Sequence, residues 1–283
     1  MRKKRSQDTD GSDSDAPRDF RELAALLAES FSAAGLRRIG LAGGQGTGKS
    51  TLARLVEQAG THLGLRICTL ALDDYYLPRA ERLALAARVH PLFETRGPPG
   101  THDVTLLREH LIALAGPGAI DVPRFDKGRD DRVGTRRIEG PFDLVVVEGW
   151  CIGARSVGEA ELALPCNALE RESDPDGRWR RHANEQLASG YAELWSLLDV
   201  IVFLRAPDLA AVRRWRLEQE AERPDRERMD AGAIERFVEH YERITLDMLA
   251  SLPGRADWTI ELAPDHRVAG IARREPNRAR FRA

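Results

Sequence analysis

The sequence lacks the features of membrane proteins and of disulfide-rich secreted proteins. No apolar run approaches the roughly 18 residues that a membrane helix needs, and the N-terminus has no apolar signal-peptide core. The three cysteines are odd in number and show neither C-x-x-C nor metal-ligand spacing. These absences favour a cytoplasmic protein with reduced thiols and no membrane attachment.

A strong net charge is also missing. The formal net charge is −2 over 283 residues, so no overall basic field points to nucleic acid as a partner. Met1–Pro17 opens with RKKRS and continues without apolar periodicity, which predicts a disordered tail. The alternative is nucleic-acid binding through the basic run, with a salt-sensitive affinity that is lost with residues 1–17. Residues 18–283 are predicted to form a single domain.

What the sequence does contain is a glycine-rich stretch behind a short apolar run, with the pattern G-x-x-x-x-G-K-S. Glycines let backbone N–H groups approach phosphate oxygens, and a helix starting near Lys49 would add its positive dipole end. Lys49 would reach the β- and γ-phosphates of a nucleotide, and Ser50 would offer its hydroxyl to Mg²⁺. A turn without a ligand is the alternative, but the preceding strand and the amphipathic segment Ser50–Ala59 favour nucleotide binding. The candidate residues are Gly43, Gly44, Gln45, Gly46, Thr47, Gly48, Lys49, Ser50 and Thr51.

Apolar strands alternate with helical segments along the chain. This pattern predicts an α/β fold of the P-loop NTPase type, a three-layer sandwich with a mainly parallel sheet covered by helices on both faces. The predicted strands are Leu36–Ala42, Leu65–Leu72, Ile120–Phe125, Phe142–Val147, Val200–Leu204 and Trp258–Leu262. Two connecting regions are assigned to function: loops at 90–137 for an acceptor site, and a helical lid at 208–223. A single helix is predicted over Glu185–Leu197, and the charged stretch Asp126–Arg137 is predicted to lie outside the core.

Acids follow two of the predicted strands. Asp73 and Asp74 end the second strand, and Glu148 follows Phe142–Val147. Acids at the C-terminal ends of parallel strands lie where open α/β sheets bind ligands, so Asp73 or Asp74 is a candidate catalytic base and Glu148 a candidate Mg²⁺ acid. The alternatives are an N-cap for the helix near Arg79 and a solvent-exposed acid at a strand end.

Basic residues cluster in three places. Arg213, Arg214 and Arg216 lie on one predicted helix and would cover a γ-phosphate, or else form a solvated face with pairs such as Arg214–Glu218. Two polar loops of mixed charge suit a small anionic acceptor with hydroxyls, although such loops usually only face solvent. Their polar residues are Arg96, His102, Asp103, Arg124, Asp126, Lys127 and Arg132.

Taken together and in this order, the motifs resemble the plant-type D-glycerate 3-kinases and their relatives of unassigned function. That group lies among the P-loop kinases that include uridine kinase, phosphoribulokinase and bacterial pantothenate kinase. The matching segments are GGQGTGKSTL, LDDYYL, HPLFETRGPPGTHD, VPRFDK with a following DR, EGWCIG and RRWRLEQE, which span most of Gly40–Glu222. The segment between FDK and DR is several residues shorter than in the plant pattern.

The resemblance implies an ATP-dependent, Mg²⁺-requiring kinase that phosphorylates a hydroxyl of a small metabolite, with D-glycerate to 3-phosphoglycerate as the specific reaction. It implies Asp73 as the base, Lys49 on the phosphates, Ser50 and Glu148 at the magnesium, and Arg213 and Arg216 in the lid. The acceptor site would comprise Asp74, Tyr76, Arg96, His102, Arg124, Asp126, Lys127 and Arg132. Two alternatives stay open: a kinase for another acceptor such as a nucleoside, pantothenate or a sugar phosphate, and an ATP-binding regulatory protein without turnover.

Overall fold

A mainly parallel sheet runs through the fold, in a computed structural model that describes residues 19–221 and 230–274. Within these residues, six strands form one sheet in the order β2-β5-β1-β6-β7-β8, in which only β8 is antiparallel to its neighbour. The predicted tail Met1–Pro17 and the end of the predicted lid, Glu222 and Arg223, lie outside the described residues. The strands of this sheet are β1 (Arg38–Gly43), β2 (Ile67–Ala71), β5 (Leu144–Gly149), β6 (Val200–Arg205), β7 (Trp258–Leu262) and β8 (Val268–Arg273).

Helices cover both faces of the sheet, as the sequence predicts. The longer ones are α1 (Phe20–Ala33), α2 (Lys49–His62), α3 (Arg79–Arg88), α4 (Val104–Ala113), α7 (Arg178–Gln186), α9 (Leu209–Ala221) and α10 (Ala231–Ser251). Three short ones are α5 (Glu159–Leu162), α6 (Ala168–Ser173) and α8 (Ala192–Trp195). None of the helices in the described ranges combines the length and apolar character that crossing a membrane requires.

The central strands are buried on both faces, which explains why they read as continuous apolar runs. In β5, Val145 and Val147 join one hydrophobic cluster, whereas Leu144 and Val146 join the cluster on the opposite face. The first cluster includes residues of α4, α8 and α10, and the second includes residues of α1, α2 and α9. Alternation with a period of two therefore fills both layers of the core from one strand.

The region predicted as acceptor-site loops is in part a β-hairpin. β3 (Gly118–Asp126) pairs antiparallel with β4 (Asp131–Gly140) in a separate two-stranded sheet. The prediction missed β4 because most of its side chains are exposed, so no apolar alternation marks it. Within the other loop, Pro91–Glu94 forms a single 3₁₀ turn.

The helix predicted over Glu185–Leu197 is interrupted. α7 ends at Gln186, a π-helical turn occupies Leu187–Tyr191, and α8 follows directly. Ser189 departs from helical geometry, with φ −113° and ψ −106°. A π turn adds a residue to the helical repeat, which periodicity of apolar residues does not reveal.

Candidate active site

The glycine-rich loop connects β1 directly to the start of α2, as the predicted P-loop requires. Gly46 and Gly48 have φ angles of 78° and 84°, a left-handed region that other residues rarely adopt. A Cβ at Gly46 would stand 2.5 Å from the Cβ of Trp215 on α9, so glycine also permits close packing of the loop on that helix. The loop is thus fixed in shape by its own backbone and by one neighbour.

Lys49 and Ser50 begin α2 and turn their side chains toward the strand ends. The Lys49 Nζ donates a hydrogen bond to the Gly44 carbonyl at 2.8 Å. Burial lowers the pKa of Lys49, and the Glu148 carboxylate opposes that effect. The Ser50 hydroxyl donates to Glu148 Oε1 at 2.7 Å, which brings the two predicted magnesium ligands into contact.

Glu148 is held by the sheet. On β5 it lies in register with Leu41 of β1 and Ala71 of β2, and it is only 8% exposed. Burial raises its pKa, while Lys49 lowers it. A carboxylate and a hydroxyl in contact are hard oxygen donors of the kind that Mg²⁺ takes, and a cation would relieve the buried charge. The residues present therefore fit this ion.

Asp73 lies in the 3₁₀ turn Leu72–Tyr75 that follows β2. Its Oδ1 accepts from the Tyr76 hydroxyl at 2.9 Å, and its Oδ2 accepts from the Lys127 Nζ at 2.6 Å. Burial would raise the pKa of this carboxyl, but the charge and hydrogen bond of Lys127 outweigh it and lower the pKa to about 2. Asp73 is therefore ionised at neutral pH.

The capping alternative for Asp73 is not what the structure shows. The N-terminus of α3 is reached by another acid: the Asp131 carboxylate of β4 accepts from the Arg79 N–H at 2.9 Å. Asp73 instead faces a cleft of about 520 Å³ that opens between the strand ends and α10. Its neighbour Asp74 lines the same cleft and has a pKa raised by burial.

This cleft gathers most of the residues predicted from the sequence. Its lining has two parts: P-loop residues with Glu148, here called the phosphate end, and the candidate base with cations from the acceptor segments, here called the acceptor end. The predicted residues that line it are Gln45, Gly46, Lys49, Ser50, Asp73, Asp74, Tyr76, Arg96, Lys127, Glu148 and Arg216. Arg96 is oriented by an ion pair with Asp130, which also receives the buried guanidinium of Arg82.

Four predicted acceptor residues are placed elsewhere. Arg132 donates to the Tyr76 carbonyl at 2.7 Å and pairs with Asp103 at 3.4 Å, so it braces the backbone. Asp126 accepts from the Gly128 and Arg129 N–H groups and shapes the hairpin turn. Arg124 is exposed, because strand alternation turns it away when its neighbour Phe125 packs on Tyr76. His102 lies buried against Tyr76.

The predicted lid arginines have separate positions on α9. Arg216 lines the cleft, pairs with Glu220 at 2.7 Å, and lies over the Phe237 ring at 5.2 Å. Arg213 instead reaches α10, where it pairs with Glu242 at 3.2 Å. Arg214 pairs with Glu218 on the exposed side of the helix, as the solvated-face alternative predicts.

Some lining residues were missed by the sequence analysis. Phe237 and Tyr241 stand one helical turn apart on α10. Trp150, two residues after Glu148, donates its indole N–H to the Gly97 carbonyl at 3.1 Å. The spacing of four residues was a signal for one helix face, but nothing local indicated which face meets the cleft. Gln219 of α9 completes this wall.

A second cleft of about 460 Å³ adjoins the P-loop on its other side. It shares Gly46 and Gln219 with the first and also includes Gly48 and Thr51. His266, between β7 and β8, donates from Nε2 to the Gly46 carbonyl at 2.9 Å and stacks on Trp215 at 4.2 Å. Of the remaining P-loop residues, Thr47 is buried and donates its hydroxyl to the Gly44 carbonyl at 2.9 Å.

Comparison with known proteins finds clear relatives, although no family model matches the chain. An uncharacterized kinase of Schizosaccharomyces pombe, mug58, is 32% identical over 220 residues, which cover 72% of this chain and 77% of that protein. The chloroplastic D-glycerate 3-kinase of Arabidopsis thaliana is 31% identical over 219 residues, and the match covers 72% of this chain but only 45% of that longer protein. The solved structure of a D-glycerate 3-kinase from Cryptococcus neoformans superposes with a TM-score of 0.73 at 22% identity, over 91% of this chain and 100% of that one, and shows a shared fold.

Proposed function

Because this chain belongs to the D-glycerate 3-kinase-like family of P-loop kinases, we propose that it transfers the γ-phosphoryl group of ATP to the 3-hydroxyl of D-glycerate. One observation carries the proposal: a single cleft is lined by P-loop residues and Glu148, by the Asp73 carboxylate with its Lys127 partner, and by the cation Arg96. The phosphate end suits the donor, and the cations suit an acceptor that carries its own carboxylate. The name of the Arabidopsis relative supports this choice of acceptor.

At the phosphate end, the P-loop N–H groups and Lys49 bind the β- and γ-phosphates. Ser50 and Glu148 would hold Mg²⁺, and the ion would supply charge neutralisation to the phosphate oxygens. The Glu148 carboxylate opposes the burial that lowers the pKa of Lys49, so this acid favours the charged form of the lysine. Arg216, on the α9 wall of the cleft, adds charge over the transferring group. Catalysis at this end is positioning and electrostatic stabilisation.

The nucleoside part of ATP occupies the second cleft, which continues past Gly46. His266, whose ring stacks on the buried Trp215, forms part of its wall and suits a flat heterocycle. The α- and β-phosphates then cross the P-loop, and the γ-phosphate points into the first cleft. This path places the donor on one side of the loop and the acceptor on the other.

At the acceptor end, the glycerate carboxylate lies between Arg96 and Lys127. A guanidinium is a good partner for a carboxylate because two parallel N–H···O bonds fix its orientation. The substrate carboxylate also draws the Lys127 ammonium away from Asp73, and the pKa of Asp73 then rises because burial is no longer opposed. A base that is weak in the free protein becomes stronger when an anionic acceptor is present.

Asp73 aligns the 3-hydroxyl with the γ-phosphorus and takes its proton as the new O–P bond forms. In a loose transition state the hydroxyl loses its proton late, so alignment contributes more than basicity. The Tyr76 hydroxyl keeps one carboxylate oxygen in place while the other faces the substrate. Trp150, Phe237 and Tyr241 form the apolar side of the cleft and exclude water, which limits wasteful ATP hydrolysis.

The test is an ADP-release assay with Mg-ATP and a panel of acceptors: D-glycerate, L-glycerate, a nucleoside, pantothenate and a sugar phosphate. Lys49→Ala serves as the blank. Saturable turnover on D-glycerate, with 3-phosphoglycerate identified as the product, would support the proposal. Turnover on a different acceptor would keep the phosphoryl transfer and discard the substrate. ATP binding without turnover on any acceptor would favour the regulatory alternative.

A further inference from the structure

A buried tyrosine lies behind the acceptor side of the cleft. Tyr191 is fully buried and ends the π-helical turn Leu187–Tyr191. Its hydroxyl oxygen accepts the Gly100 N–H at 3.2 Å and lies 2.6 Å from Nδ1 of His102. Ser189, inside this turn, departs from helical geometry, so the irregularity changes the direction of the side chains that follow it, including Tyr191.

The hydrogen-bond pattern fixes the tautomer of His102. The Gly100 N–H occupies a lone pair of the Tyr191 oxygen, so the hydroxyl hydrogen needs an acceptor, and Nδ1 is the one within reach. His102 therefore carries its own hydrogen on Nε2, which has no hydrogen-bond partner among the described residues. Burial lowers the pKa of His102 to about 4, although the nearby Asp73 carboxylate opposes this, so the ring is neutral at physiological pH.

His102 in turn fixes Tyr76. The two rings stack with centroids 4.6 Å apart and an angle of 27° between their planes. Their backbones form an isolated antiparallel bridge, supported by hydrogen bonds from Leu77 N to Thr101 O at 2.9 Å and from Asp103 N to Tyr75 O at 2.8 Å. The Tyr76 hydroxyl, held by this stacking, donates to Oδ1 of Asp73.

We propose that Tyr191 and His102 are positioning residues, which act through Tyr76 to hold the Asp73 carboxylate in line with the acceptor hydroxyl. Neither residue lines the cleft, so neither touches the substrate. The inference rests on the proposed role of Asp73 as the base, but it does not depend on which acceptor is phosphorylated. It gives a reason for the π turn and for the buried, unpartnered N–H of His102, both of which are costly and cluster at functional sites.

The chain offers a matched pair of variants. Tyr191→Phe removes the hydroxyl that holds His102. Tyr75→Phe removes another fully buried hydroxyl, which lies 3.0 Å from Nδ1 of His110 in the same kind of tyrosine–histidine contact. Tyr191→Phe loses two buried hydrogen bonds and Tyr75→Phe loses one, so a purely structural effect should appear in both variants and be at most about twice as large in Tyr191→Phe.

With the acceptor that the panel identifies, we expect Tyr191→Phe to lower kcat about 10-fold, because a small misplacement of reacting groups costs at least that much. The KM for Mg-ATP should stay unchanged. Tyr75→Phe should keep wild-type kcat, although it also loses thermal stability. Wild-type kcat in Tyr191→Phe, or an equal loss in both variants, would overturn the proposal.

A double mutant tests whether the effect passes through the base. In an Asp73→Asn background, adding Tyr191→Phe should lower kcat no further, because the group being positioned is already gone. A full additional 10-fold loss would show that Tyr191 acts by another route. Wild-type turnover in Asp73→Asn alone would reject both the base role and this inference.

A second readout needs no acceptor and separates this inference from the proposed function. The Asp73 carboxyl can be titrated by carbon NMR in the full-length protein without nucleotide. Loosening the Tyr76 hydroxyl removes a hydrogen bond that favours the ionised form, so Tyr191→Phe should raise the pKa of Asp73 and Tyr75→Phe should leave it unchanged. An unchanged pKa in Tyr191→Phe would overturn the positioning role even if the protein proves to be inactive as a kinase.

Discussion

The two ends of the cleft are built in different ways. The phosphate end comes from consecutive residues of one loop and the first turn of α2, completed by Glu148 in strand register. The acceptor end joins Asp73, Arg96, Lys127 and Tyr241, which are far apart in sequence and are held by side-chain ion pairs and hydrogen bonds. The first end depends on backbone geometry, and the second depends on tertiary contacts.

This difference follows from what each end binds. A nucleoside triphosphate presents the same phosphate oxygens to every P-loop, so backbone N–H groups with few side chains are sufficient to bind it. An acceptor differs from one kinase to another, so its site must be adjustable without disturbing the sheet. Side chains on a separate hairpin and on α10 meet that need. Mutations of the phosphate-contacting residues should therefore lower activity most, and mutations at the second end should change selectivity or pH dependence, except at the base Asp73.

The largest effect is expected at the phosphate end. Lys49→Ala should lower kcat by about 100- to 1,000-fold, because a preorganised charge on the transferring phosphoryl group is lost. Coupled ADP release measures it, and circular dichroism checks the fold. Arg54→Ala, an exposed cation on the same helix, is the control and should retain full activity. Equal activity in both variants would remove Lys49 from the mechanism.

The next effect is at the acceptor end, where Asp73→Asn should lower kcat by about 100-fold while the KM for Mg-ATP changes little. The amide keeps the volume and a hydrogen bond to Tyr76 but has no negative charge to accept a proton. Asp121→Asn, on the exposed face of β3, is the matched control. A large rise in the KM for Mg-ATP would indicate that Asp73 contributes to nucleotide binding and not to the acceptor end.

Lys127→Met should act on selectivity and on pH dependence. Losing one charge-assisted contact should raise the KM for an anionic acceptor about 10-fold. Without the ammonium, burial raises the pKa of Asp73 in the free enzyme from about 2, so the acidic limb of the kcat/KM profile should move to higher pH. Arg129→Met replaces an exposed cation of the same turn, and neither its KM nor its pH profile should move. An unshifted acidic limb in Lys127→Met would contradict the ion pair's role.

The same ion pair also makes a prediction for stability. Because the pKa of Asp73 is depressed below its ordinary value of 3.8, the pair stabilises the fold above about pH 4, and the benefit disappears as pH falls toward 2. Thermal unfolding of wild type and Lys127→Met should therefore differ most at neutral pH and converge in acid. Midpoints that stay equally far apart below pH 3 would assign the difference to packing.

The smallest effect is expected from His266→Asn, which tests the support that His266 gives to the P-loop. The residue has a φ of 66°, a conformation that asparagine tolerates, so the turn should persist. Loss of the hydrogen bond to the Gly46 carbonyl and of the stack on Trp215 should raise the KM for Mg-ATP about fivefold, with kcat nearly unchanged. The surface variant His62→Asn should change neither constant. A drop in kcat alone would indicate that His266 shapes the γ-phosphate position instead.

The same contrast explains what the sequence could predict. The strands, the P-loop and Glu148 follow from local patterns, because apolar runs and glycine spacing are read within a few residues. The exposed strand β4 carries no such pattern, and Phe237 and Tyr241 reach the cleft only through the packing of α10. Arg132, Arg124 and Arg96 carry the same charge. Only the folded structure shows that Arg132 supports the backbone, that Arg124 is an exposed strand residue and that Arg96 lines the cleft. The resemblance supplied the order of the motifs, but not the contacts of each side chain.

The strand register also bears on how such an enzyme evolves. Ala71 pairs with Glu148, so the distance from the proposed magnesium ligand Glu148 to the proposed base Asp73, two residues beyond Ala71, is set by backbone hydrogen bonds. A one-residue insertion within β5 would move Glu148 to the opposite face of the sheet and end activity at once. At the tip of the turn between β3 and β4, Gly128 and Arg129 are held by Asp126 of the same turn and not by strand pairing. Changes in the length of this turn can therefore accumulate and alter acceptor selectivity, while the P-loop and its strand register stay unchanged.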